Sequence, residues 1–92
     1  MEEKYLTAET LFNDGNTLEA LDILNEILNN EGRNIDSLLL RASIFYKMQK
    51  WGEALNDLNL IMETDPENQM AISYKSMVMN ILSYWNKDNF NP

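Results

Sequence analysis

The chain contains no cysteine and no histidine. Thiol nucleophiles, disulfides, Cys/His metal sites and the commonest general base are therefore all excluded. Carboxylates and hydroxyls are what remain for chemistry. Ser37, Ser43, Ser73, Ser76 and Ser83 fall in helical stretches, with no candidate base to activate them. Asp14-Gly15-Asn16 has the look of the opening of a calcium loop, but the downstream ligands such a loop needs are absent. There is no P-loop and no glycine-rich dinucleotide fingerprint. Glu2, Glu3, Glu9, Glu19, Glu26, Glu53, Asp57 and Glu63 read most simply as a solvated acidic face. The expectation is a protein without catalytic residues, metal or cofactor.

Bulk properties point the same way. Ninety-two residues suffice for one small domain, and 45% hydrophobic with 24% charged residues is globular composition. Fifteen acidic residues against seven basic ones give a formal charge of −8. Such a surface repels phosphate backbones and anionic lipid, so neither nucleic acid nor membrane is an expected partner. A basic or apolar partner is compatible with it. Met1-Glu2-Glu3-Lys4-Tyr5 is not a signal-peptide start, and no apolar run approaches a membrane span. A cytoplasmic location is the resulting expectation.

An internal repeat organises the chain. Glu19 to Leu28 aligns with Glu53 to Met62 at an offset of 34 residues, and six of the ten pairs are identical. The same offset pairs Ala8 with Ala42, Leu11 with Phe45 and Phe12 with Tyr46. In the second copy Leu38, Ala42, Phe45 and Tyr46 recur at three- and four-residue steps, as one helix face does. Ala54, Leu55, Leu58, Ile61 and Met62 form a second stripe after the break at Met48-Gln49-Lys50. Asn13-Asp14-Gly15-Asn16 turns the chain in the first copy, with Thr17 expected as the following cap. Asp65-Pro66-Glu67 is expected to end one helix and cap the next. Helices are predicted near 3–14, 17–30, 35–48, 51–64 and 67–85. This gives one domain over 1–86, with units of about 1–34 and 35–68, a terminal helix over 67–85 and a flexible tail over 87–92.

A helix–turn–helix unit with a 34-residue period and small residues at fixed places resembles the tetratricopeptide repeat family. In the second copy Leu38 stands for the family's Trp, Arg41 for its Leu, Ala42 for its Gly and Phe45 for its Tyr. Ala54, Leu58, Ile61 and Pro66 follow at the family's spacing. The first copy is weaker, with Lys4 and Thr7 where apolar residues are expected. The third copy has only a first helix, with Ile72, Ser76 and Met79 at the matching places. The resemblance implies an all-α fold of tandem antiparallel helix pairs, two units plus a terminal helix, in a short right-handed superhelix.

It further implies that the first helix of each pair lines a concave groove that binds a peptide or helix segment. Carried onto this chain, the groove residues are Tyr5, Glu9 and Phe12, then Leu39, Ser43 and Tyr46, then Ser73 and Met77. One family mode clamps a C-terminal carboxylate with cations. The comparable places here hold Tyr5, Glu9, Leu40, Met70 and Tyr74, none of them cationic, so that mode is not expected.

On the last helix, Ala71, Tyr74, Val78 and Ile81 are expected to pack on the fourth. Ile72, Met79, Leu82 and Trp85 are expected to point toward the missing partner helix, forming a patch for self-association or another protein. The functional expectation is a peptide-binding module. The alternatives are an assembly protein that joins to itself, as a homodimer, through the end of the last helix, or a small acidic holding chaperone.

Overall fold

The computed structural model describes residues 2–90, with side chains through Trp85. Among the described residues there are five helices and no strand: α1 (Glu2–Asn13), α2 (Thr17–Glu31), α3 (Ile35–Lys47), α4 (Trp51–Thr64) and α5 (Gln69–Phe90). Short turns fold α1 on α2 and α3 on α4, and each hairpin leans on the next helix in the chain, α2 on α3 and α4 on α5. On one side of the stack α1 touches α3 and α3 touches α5, whereas α2 and α4 do not meet. The first helices of the pairs therefore crowd together along one side while the second helices splay apart on the other.

Two apolar clusters hold the stack. One joins Ala8, Ala20, Leu24, Ile27 and Ile44; the other joins Leu28, Leu38, Ala42, Leu58, Ile61 and Ala71. Ala20 and Ala54 are fully buried at equivalent places, where a larger side chain would push the paired helices apart. Ile44 faces the first hairpin, a stripe the single-face reading of α3 did not contain. A helix inside a stack has neighbours on two sides and needs apolar residues on both.

The two intra-hairpin turns are built alike. Gly15 N–H donates to Phe12 O at 3.0 Å and Asn16 N–H to Leu11 O at 2.7 Å. Thirty-four residues on, Gln49 N–H donates to Tyr46 O at 3.0 Å and Lys50 N–H to Phe45 O at 2.8 Å. Gly15 and Gln49 both have positive φ, 89° and 62°. Thr17 is not the cap of α2: Asn16 occupies that position, and its side chain makes no capping bond.

Two further expectations are corrected. Asp65 does not cap α5. It closes α4, donating its N–H to Ile61 O, and Pro66 and Glu67 then form a turn in which Asn68 N–H donates to Asp65 O at 3.1 Å before α5 begins. The cap is Asn68, whose Oδ1 accepts from Ala71 N–H at 2.9 Å, as Asn34 Oδ1 accepts from Ser37 N–H at 2.9 Å one repeat earlier. The last helix, expected over 67–85, consequently starts at Gln69, and it continues to Phe90 because no glycine or proline interrupts it. Most of the segment expected as a flexible tail is thus helical; residues 91 and 92 lie outside the described residues.

Asp57 is not on a solvated face. It is 1% exposed, and both its oxygens accept from Arg41, from Nε at 2.8 Å and from a terminal guanidinium nitrogen at 2.6 Å. The other terminal nitrogen donates to Asn25 Oδ1 at 2.9 Å. Arg41, at the place of a family leucine, thus ties α3 to α4 and to α2. A bidentate guanidinium–carboxylate pair satisfies the buried charge, which would otherwise be very costly to desolvate.

Candidate protein-binding groove

Of the expected groove residues, Tyr5, Glu9 and Phe12 stand on α1, Leu39, Ser43 and Tyr46 on α3, and Ser73 and Met77 on α5. Both α1 and α5 touch α3, and they do not touch each other.

At the α1 end, Tyr5 and Phe12 are half-buried and pack on the first apolar cluster. The Tyr5 hydroxyl donates to Glu9 Oε2 at 3.5 Å, a long bond. Burial pushes the Tyr5 phenol above its ordinary range, and the nearby carboxylates of Glu9 and Asp36 push it further the same way. Tyr5, Glu2, Leu6, Asn34 and Asp36 line a hollow of about 260 Å³. The sequence reading missed Glu2 and Asp36 here, because they come from the first turns of two different helices. The Lys47 ammonium sits 5.4 Å from the centre of the Phe12 ring.

In the middle, Leu39 packs on the second apolar cluster, and the Ser43 hydroxyl turns back to donate to Leu39 O at 2.9 Å. Tyr46 is held between two rings, 5.4 Å from Trp51 and 6.1 Å from Tyr74. Edge-on and tilted arrangements like these suit the aromatic quadrupole. Tyr46 thus serves as a joint between α3, α4 and α5 as well as a wall.

The α5 end is the open part. Ser73 is exposed and Met77 is 43% exposed. With Gln69, Met70 and Tyr74 they line a shallow, almost wholly apolar hollow of about 200 Å³. Met70, 56% exposed, is named from sequence only at a clamp position and not among the expected peptide-binding residues, although it stands seven positions before Met77 and so shares its helix face.

The other face of α5 divides in two. Ala71 and Val78 are fully buried against the stack, with Tyr74 and Ile81 half-buried. Ile72 and Met79 are exposed and Leu82 is half-buried. Trp85 does not lie with Ile72 and Met79: it stands seven after Val78, on the stripe that packs on α4. It is nonetheless 58% exposed, its ring against Tyr84. The 14 residues of α4 reach about 21 Å and the 22 of α5 about 33 Å, so α5 outruns its support.

Among the described residues no cluster of acidic side chains is arranged to hold a metal ion, and no helix is long and apolar enough to cross a membrane. No solved structure matches the chain. The model of the family described as anaphase-promoting complex, cyclosome, subunit 3 matches residues 1–59, which spans α1, α2, α3 and the first nine residues of α4. Repeats of this kind form protein–protein interaction modules. With stacked hairpins at a constant offset and that match over more than half its length, the chain belongs to this tetratricopeptide-like repeat family.

Proposed function

We propose that the chain is a non-catalytic protein-binding module whose concave side takes a short apolar segment bearing a basic residue. The observation that supports this reading is a pair of unlike hollows, one at the α1 end and one on α5. The Met70–Tyr74–Met77 hollow offers exposed, adaptable thioethers and an aromatic wall, suited to gripping an apolar anchor. The hollow at the α1 end offers the carboxylates of Glu2 and Asp36 beside Tyr5, with Glu9 close by, suited to a cation. A carboxylate-ended ligand would find no cation in either hollow.

Selection from a random peptide library tests the idea. The enriched peptides should combine an apolar anchor with Lys or Arg. The double variant M70A/M77A should weaken them by about tenfold or more, a loss of roughly 1.4 kcal/mol, with an unchanged melting curve, since both side chains are exposed. Enrichment of acidic peptides, or binding indifferent to M70A/M77A, would overturn the proposal.

A further inference from the structure

Six of the eight large hydrophobic side chains exposed among the described residues are on α5. Met70, Met77 and Tyr84 belong to its groove flank, and Trp85 to its overhang. Ile72 and Met79, with Ser76 between them, form a separate stripe, and the internal repeat says what that stripe is. Ile72, Ser76 and Met79 stand 34 residues after Leu38, Ala42 and Phe45. In α3, Leu38 and Ala42 are 1% and 2% exposed, because α4 folds antiparallel against them. The equivalent stripe on α5 has the same apolar–small–apolar pattern, yet Ile72 is 39% and Met79 49% exposed. The fold therefore calls for an antiparallel helix here, and α2 and α4 are already engaged.

We infer that the occupant is α5 of a second copy of this chain, packed antiparallel across a two-fold axis beside Ser76. Three observations favour it. Ile72 and Met79 lie on either side of Ser76, so an antiparallel twin sets each Ile72 against Met79 of the partner subunit, and the small Ser76 lets the helices approach. Charge separates this face from the rest of the molecule. Residues 2–68 hold fourteen acidic and five basic residues, a net −9, whereas residues 69–85 hold a single charge, Lys75. A strongly acidic or basic partner finds little to pair with on that helix, while a second copy meets a surface freed of the repulsion that governs its other faces. Length is the third: α5, at 22 residues, is the longest helix and carries the whole Ile72–Met79 stripe. Lys75 is half-buried beside the stripe, so the seam is not uncharged and association is best followed over a range of concentration.

The experiment uses the full chain. Light scattering coupled to size exclusion should give twice the monomer mass at high concentration. The double variant I72D/M79D should shift the mass to that of the monomer while retaining the helical circular dichroism signal; M70A/M77A, on the groove flank, should remain dimeric. Because the chain has no cysteine, S76C reports on geometry without background. It should form an inter-chain disulfide on mild oxidation, as the close approach at a two-fold axis permits, whereas N80C on the exposed side should not. A monomer at all concentrations would overturn the inference. So would a dimer that survives I72D/M79D, or one that S76C cannot link. None of these results bears on the groove.

Discussion

The two hairpins follow one backbone plan with different interiors. Both turns close with the same pair of hydrogen bonds, and both second helices bury an alanine at the crossing. Yet where the second hairpin places Arg41 against Asp57, the first has Thr7 and Ile23 at the equivalent positions. Thr7 is exposed and spends its hydroxyl on Glu3 O, four residues back. At the left-handed turn residue the first hairpin has glycine and the second glutamine. Alanine contacts and turn closure thus define the unit, and an ion pair is compatible with it when every nitrogen and oxygen finds a partner. Asn25 supplies the last one, so the polar pair of one hairpin is completed by the other.

Three substitutions sharpen that contrast. The largest effect is expected at the ion pair. R41M leaves Asp57 buried and unpaired and should cost about 3–5 kcal/mol, whereas replacing both residues by apolar side chains of similar volume should recover most of the loss. T7A, the matching change in the first hairpin, should cost less than about 0.5 kcal/mol. Chemical denaturation measures all of these, and equal losses at Arg41 and Thr7 would break the contrast.

A smaller effect is expected at the turns. G15Q puts a side chain on a residue with φ of 89° and should destabilise by about 1–2 kcal/mol, although no neighbouring atom obstructs it. Q49G should stabilise by at most about 1 kcal/mol, because the added freedom of the unfolded chain offsets part of the relieved strain. The smallest effect is at Tyr5. Its raised pKa means that its contribution is complete below the unfolded phenol's pKa and is lost as pH rises through the folded one. Comparing melts of the native chain and Y5F on either side of that range, the native chain should lose the more stability in alkali.

The repeat made much of this architecture legible beforehand. The offset of 34 located both hairpins, and α4 was expected over the residues it occupies. The errors share a cause: sequence pattern weighs residues singly, whereas burial depends on partners distant in the chain. Asp57 looked solvated because its cation lies sixteen residues away, at a place the family fills with leucine. Asp65 looked like a cap because aspartate before proline is a strong local signal; Asn68, repeating Asn34, was the better guide. Trp85 is expected with Ile72 and Met79, although seven-residue spacing sets it with Val78; its exposure depends on where α4 stops, which spacing does not give. In the groove, positions on a helix face could be read directly. How much of Tyr46 is joint and how much is wall depended on Trp51 and Tyr74, which no local pattern connects to it.

The uneven distribution of charge along the stack has a kinetic consequence. A body 50 Å long with nearly all its negative charge ahead of α5 carries a permanent electric dipole. A cationic segment diffusing nearby would be turned and drawn toward the α1 end before any side chains touch, and added electrolyte would slow that capture. Joining two copies through α5 would place the two acidic ends outward, giving an assembly that attracts from both tips and is nearly silent at its waist.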